Sequence, residues 1–457
     1  MPKTLRADIV IVGSGAGGSV IAKELSSLNK KVYIIEKGVF PRNVGSELFA
    51  SKLYDKCALF SRSKEGVLIY RAIAVGGTTI VSCGNGVRAL EKQLYDRGID
   101  LSNEYIEAEK DLGVIPNPFI SKTSRKISEA SKLLGINMVP MPKFFKSRKC
   151  TCCGRCVLGC RPASKWTALN CVKEALANNV RLMVGSEARK VLIRRGRVVG
   201  IVGRNRSGFF VIKTNLVVLS AGAVGTPIIL QNSGIKAGRG LFCDLLSVTY
   251  GLSREYNLLN EPSMSIVTDM EFFNKNNFIL SPFLDSFLVL LTLFPNRRIL
   301  SGNRMKWLEK KIREESFHYS GIDISYFPKQ LRRGRLVGIM TKIKDDNNGS
   351  VDKSGQIHKF PSEEDMRRLK RGSLFANNIL SKMGIQKNDM FTTQIRGAHP
   401  GGTAAIGSVV NNDLETRIKG LFVCDASVFP ESTGLPPILS IAALAKRLSK
   451  IITERVL

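Results

Sequence analysis

The chain has 457 residues, 44% of them hydrophobic and 23% charged, a balance that excludes a disordered or fibrous protein and leaves room for two or three domains with their own cores. Lys and Arg number 69 against 38 Asp and Glu, a net charge of +31. Such a charge favours an anionic surface (acidic lipid, nucleic acid or an acidic partner), or else a solvated basic exterior tuned to salt or heat. The first residues lead straight into an apolar strand without space for a secretory leader, so a cytoplasmic chain is expected, and its ten Cys are not expected to form a disulfide framework.

Residues 7–36 read as strand, glycine loop, helix and strand. The apolar run 8–12 is followed by Gly13-x-Gly15-x-x-Gly18, a helix over 17–28, and a second strand over 32–35 that ends at Glu36. The glycines permit a tight turn and close approach of a pyrophosphate to a helix N-terminus, and Glu36 stands where a carboxylate accepts ribose hydroxyls. The motif indicates a dinucleotide without separating FAD from NAD.

Residues 89–140 read as mostly helical, and 165–178 as another helix. Strands are expected at 181–184, 188–194, 197–202, 209–213 and 216–219, with turns at Arg195-Gly196 and Arg206-Ser207-Gly208. Further strands flank the turn signal at 345–349. A helix is expected over 363–383 and a last one from Pro437 to about residue 448.

Between these lie two unusual segments. Five Cys fall between Cys150 and Cys160, in a loop rich in Lys and Arg. Their spacings allow three readings: an iron–sulfur cluster, a structural zinc, or free thiols. For a metal the chosen ligands are Cys152, Cys153, Cys156 and Cys160; Cys57, Cys83, Cys171, Cys243 and Cys424 read as ordinary core residues. The most apolar run, 278–294, is interrupted by Pro282 and Asp285 and makes a poor membrane span. The basic stretch Arg297–Arg313 follows it, with Met305, Leu308 and Ile312 on one helical face beside Trp307. That pattern suits either a helix lying on an anionic bilayer or a buried element of a second domain.

Four further segments resemble the glucose–methanol–choline (GMC) oxidoreductase family. They are Gly76-Gly77-Thr78-Thr79 with Arg88 downstream; Gly222–Leu230 continuing to Ser233-Gly234-Ile235; His399-Pro400-Gly401-Gly402-Thr403; and Cys424-Asp425-Ala426-Ser427 continuing to the last helix. Lys236 stands where the second signature ends in Gly, Ser82 replaces an Asn common in the flavin loop, and Pro436 occupies a position where the family commonly has His or Asn. The Cys-rich loop is similar to loops in some members, including long-chain alcohol oxidases and cluster-bearing sugar dehydrogenases.

The resemblance implies an α/β fold: a Rossmann-type FAD-binding domain with an α+β substrate domain whose antiparallel sheet covers the flavin. The expected division is 1–235 for FAD with the Cys-rich loop at 146–165, 236–398 for the substrate domain, and 399–457 returning to the FAD domain. It implies His399 as the residue that accepts the hydroxyl proton while hydride passes to flavin N5. It implies flavin contacts from Gly76, Gly77, Thr78, Val191, Asp425, Ala426, Pro437 and Ile438, the last two opening a helix whose dipole favours a reduced, anionic flavin.

The expected activity is an FAD-dependent dehydrogenase that oxidises an apolar or lipid-like alcohol and passes electrons to a quinone or carrier protein, by way of a cluster if the Cys loop holds one. Two alternatives are a flavoprotein acting on C–C bonds of a lipid or isoprenoid, and a non-catalytic basic flavoprotein binding a membrane or polyanion. No helix-turn-helix, finger spacing or RNA-binding aromatic sheet points to a specific nucleic acid. Any membrane association is expected to be peripheral.

Overall fold

The structure, a computed structural model, describes residues 3–55, 61–286 and 333–456. Among these, a parallel sheet runs in the order Leu421–Val423, Leu216–Leu219, Ile9–Val12, Val32–Ile35, Arg181–Met183. Ile9–Val12, Leu216–Leu219 and Val32–Ile35 are buried at every residue, which is why they read as unbroken apolar runs rather than alternating ones. The helix Ala16–Leu25 leaves the first strand through the glycine loop. The chain's last helix, Ile438–Val456, packs beside it, so the C-terminus returns to the sheet that the N-terminus begins.

That last helix continues well past residue 448. Ile452 is fully buried, and Lys450 Nζ lies 2.7 Å from Glu104 and 2.9 Å from Glu107 on the helix Ser102–Leu112. Interhelical contact therefore carries the helix beyond its apolar periodicity. The strands expected after residue 181 are present: Glu187–Arg194, Arg197–Asn205 and Gly208–Lys213 form a meander that Lys3–Arg6 completes in parallel.

A second sheet is ordered Phe278–Pro282, Leu336–Ile343, Leu245–Leu252, Arg396–Gly397, Leu68–Ile69, Ser61–Arg62, with Met390–Thr392 also on Leu245–Leu252. The helix Glu363–Lys382 packs on it and starts with a full capping box, Ser362 and Asp365 each accepting the other's backbone N–H. Phe278–Pro282 is a buried strand, so this part of the apolar run belongs to the core rather than to a lipid surface. Residues 287–332, with the basic stretch, His318 and the amphipathic pattern around Trp307, lie outside the described residues, as does Cys57. No described helix is long and apolar enough to cross a membrane.

Candidate active site

A cavity of about 400 Å³ lies between the parallel sheet and the second sheet. Its walls join Gly13, Gly15, Glu36, Gly77 and Thr78 from the N-terminal half to His399, Asp425, Ala426, Pro437 and Ile438 from the C-terminal end. Residues nearly 400 positions apart in sequence thus share one chamber.

The cradle at the parallel sheet is built on close backbone packing. Gly13 has φ +96, and a Cβ there would sit 2.3 Å from Ser220 O, so no other residue fits between the two strand ends. A Cβ on Gly15 would meet nothing within 4 Å; its open side faces the cavity. The loop is tied by Glu36, whose Oε2 accepts from Ser14 N at 3.0 Å and Ser14 Oγ at 2.7 Å, while Oε1 accepts from Gly38 N at 2.6 Å. Burial pushes the Glu36 carboxyl above its ordinary range, against these hydrogen bonds. Oε1 accepts a single protein hydrogen bond and Glu36 lines the cavity, so a ribose hydroxyl fits as its second donor.

Asp425 plays the corresponding part across the sheet. Its carboxylate accepts from Gly222 N at 2.8 Å, Thr226 Oγ1 at 2.6 Å and Ser427 N at 2.7 Å, which clamps the start of the helix Gly222–Asn232 to the strand end at Val423. Burial raises this carboxyl too. Three helix N-termini, at Ala16, Gly222 and Ile438, therefore converge on the chamber. Their dipoles suit a pyrophosphate and an anionic ring. The chamber's donor set fits FAD.

His399 is held by its own backbone, with N–H donating to Cys243 O at 2.9 Å, and by its ring. Nδ1 lies 2.8 Å from Asp244 Oδ2. An ionised carboxylate only accepts, so Nδ1 carries the proton and Nε2 is the basic nitrogen. The His399 side chain keeps 26% of its surface open, on the cavity wall. Burial and then the nearby Lys342 hold the imidazole below its ordinary pKa, outweighing Asp244. The glycines that follow have a packing cause: a Cβ on Gly401 would come within 2.1 Å of the Phe242 ring.

Asp244 is fully buried, has φ +46 and accepts from Ser432 Oγ, Thr433 Oγ1 and Gly434 N at 2.8, 2.6 and 2.9 Å. Burial alone would raise its carboxyl, but His399, Lys342 and Thr433 bring it below its ordinary range. Its left-handed backbone is supported by Asp345 Oδ1, which accepts Asp244 N at 2.8 Å, and Asp345 is itself paired with buried Lys359 at 2.8 Å. A strained residue so heavily supported beside the imidazole marks a position fixed for function.

Three expected flavin contacts stand elsewhere. Gly18 lies under the loop, where a Cβ would come 2.1 Å from Gly13 O; it serves helix–strand packing. Gly76 donates its N–H to Ser14 Oγ at 3.1 Å and sits behind the wall that Gly77 and Thr78 form. Val191 is buried, with its N–H on Ser233 Oγ; Glu187 and Ala188 line the chamber in its place. A register shift between Ala188 and Lys190 breaks the alternation that would have indicated the inward residue.

The Cys loop packs against the turn Gly77–Val81. No three His, Cys, Asp or Glu among the described residues are placed to hold a metal ion, so the arrangement gives no support to Cys152, Cys153, Cys156 and Cys160 as iron–sulfur or zinc ligands. Cys153 is exposed, Cys152 interacts with Cys150, and Cys160 Sγ accepts from Lys165 N at 3.4 Å. The loop is held by an ammonium instead: buried Lys165 Nζ donates to Ile80 O, Ser82 O and Cys156 O.

Sequence reasoning missed Asp244, Lys342 and Arg396, and saw Asp285 only as an interruption. Asp285 Oδ2 lies 2.6 Å from the fully buried Arg396 Nη2 and accepts from the Tyr250 phenol hydroxyl at 2.9 Å. A charge inside an apolar run was the signal for such a buried pair.

A family model described as GMC oxidoreductase matches residues 7–249, and a second with that description matches residues 342–445. The chain is 30% identical over 447 residues to an uncharacterised protein of Methanocaldococcus jannaschii, covering 96% of this chain and 98% of that one. It is 23% identical to a long-chain-alcohol oxidase of Arabidopsis thaliana over 98% of this chain and 68% of the other. Among solved structures, a formate oxidase variant of Aspergillus oryzae superposes with a TM-score of 0.72 at 14% identity, covering 99% of this chain and 98% of that one. The chain belongs to the GMC oxidoreductase family and is an FAD-dependent oxidoreductase acting on CH–OH donors.

Proposed function

We propose that this protein oxidises an apolar, lipid-like alcohol to its carbonyl, with His399 as the base. The observation that carries the proposal is the single chamber in which the flavin cradle and His399 Nε2 meet. FAD, when bound, supplies the two-electron acceptor for the hydride of the carbinol carbon. His399 Nε2 takes the hydroxyl proton, and Asp244 holds the ring in the tautomer that leaves Nε2 basic. Because burial and Lys342 keep the imidazole below its ordinary pKa, the base is neutral and ready at neutral pH.

Leu246, Met264, Phe283 and Met340 line the substrate side, which supports an apolar donor, as does the similarity to a long-chain-alcohol oxidase. The net charge of +31 and the basic stretch after residue 296 support delivery from an anionic membrane surface. Cytoplasmic placement with peripheral attachment belongs to this reading. The acceptor proposed is a quinone or carrier protein. Oxygen stands beside them as a second reading, because the Cys thiols do not converge on a relay centre. Product analysis tests the proposal: a carbonyl formed in step with flavin reduction supports it, and a changed C–C double bond in its place refutes it.

A further inference from the structure

Pro436, just before the last helix, lines the chamber but has no donor. The opposite wall carries one. Lys342 lies on the strand Leu336–Ile343 in register with Leu246, and Leu246 is in register with Arg396 on its other side. Residues in register point to the same face of a sheet, and all three line the chamber, as does Met340 two residues back along the strand.

Lys342 is 1% exposed, and its Nζ has no hydrogen-bond partner among the described residues. Its nearest carboxylate oxygen, Asp244 Oδ2, is 4.0 Å away, beyond hydrogen-bonding reach. Other buried lysines are fully engaged: Lys143 Nζ donates to Cys83 O, Asn85 Oδ1 and Ser263 O, and Lys359 Nζ to Asp346 O and Asn348 Oδ1 besides its Asp345 pair. A buried ammonium with no acceptor is costly, and the cost is relieved when a ligand atom fills the gap. The same Asp244 Oδ2 is hydrogen-bonded to His399 and lies 4.0 Å from Lys342, which brings both side chains to one carboxylate.

Resting on the alcohol-oxidation reading, we infer that Lys342 Nζ is the second group that holds the reacting oxygen, donating to it while His399 Nε2 takes its proton. As the O–H bond breaks toward His399, negative charge grows on that oxygen, and it is spent in forming the carbonyl as the carbinol C–H pair departs as hydride. A fixed donor beside it gains strength at that moment and lowers the barrier. Burial brings the Lys342 ammonium down to about 8, with Asp244 and then Cys83 opposing, so it remains largely protonated at neutral pH. The same contact makes the site accept a carboxylate that mimics the oxygen.

The test uses the FAD-bound full chain, with decan-1-ol for flavin reduction and decanoate for binding, read by the change in the flavin spectrum. Lys342→Met should weaken decanoate about 10- to 100-fold and slow flavin reduction about 100-fold. Lys342→Gln, which keeps an N–H donor without charge, should fall between and serves if the Met variant does not fold. Equal decanoate affinity in wild type and variants, or no affinity in the wild type, overturns the inference. So does an altered flavin spectrum in ligand-free Lys342→Met with unchanged decanoate affinity, which would put Nζ against the flavin. If decan-1-ol and other alcohols fail to reduce wild-type flavin, the alcohol reading fails, and decanoate affinity alone still decides Lys342.

Discussion

The two sides of the chamber use buried charge in opposite ways. On the parallel-sheet side the carboxylates are anchored by protein donors: Glu36 accepts from Ser14 and Gly38, and Asp425 from Gly222, Thr226 and Ser427. On the substrate side, Lys342 Nζ has no hydrogen bond and His399 leaves Nε2 open. Satisfied groups fix a loop around a resident cofactor. Groups left open await a transient ligand, so the first side is built for retention and the second for turnover.

Substitutions on the two sides should therefore separate binding from chemistry. His399→Ala should keep its flavin and lose about 10²–10⁴-fold in the rate of flavin reduction by alcohol, measured by rapid mixing without oxygen. Unchanged reduction would remove His399 from the mechanism. Asp425→Ala should do the reverse. It strands two backbone N–H groups and a hydroxyl in the interior, at a cost of at least about 2 kcal/mol, and should release FAD and lower the midpoint of denaturant unfolding. Retained FAD with an unaltered midpoint would show that the clamp is not needed.

The difference between the sides also explains what the sequence makes legible. Gly13, Gly15 and Glu36 lie within one strand–helix–strand unit, and the spacing that builds the cradle is local. The substrate side is assembled by register between strands that meet only in the fold: Lys342 opposite Leu246, and Leu246 opposite Arg396. No spacing within the chain reveals that row. Val191 stands off the chamber wall for a related reason, since the register shift after Ala188 changes which residue turns inward. The Cys loop misled in the other direction. Its spacing suits a metal, but Lys165 ties the loop to Ile80 and Ser82, and no three ligand groups among the described residues are placed to hold one.

Smaller effects sharpen the account. The rate of flavin reduction should fall as pH drops through the His399 pKa, because a protonated Nε2 accepts nothing, and this limb should lie below the ordinary imidazole value of about 6.5. Asp244 favours the charged imidazole, so Asp244→Asn should move the limb to still lower pH and cost about tenfold in rate through looser ring positioning. A limb that moves upward would contradict the assigned pairing. Cys153, which is exposed, should tolerate Ser with a stability change within about 0.5 kcal/mol and full flavin retention. Loss of flavin or of stoichiometric iron in Cys153→Ser would restore a metal to the loop.

The most direct test is a single turnover of the anaerobic, FAD-bound protein with a straight-chain alcohol such as decan-1-ol, following the flavin band and the organic product together. The account predicts bleaching of the flavin with one equivalent of decanal formed per flavin reduced. Flavin that stays oxidised across a series of alcohols, or that is reduced without a carbonyl product, would contradict it.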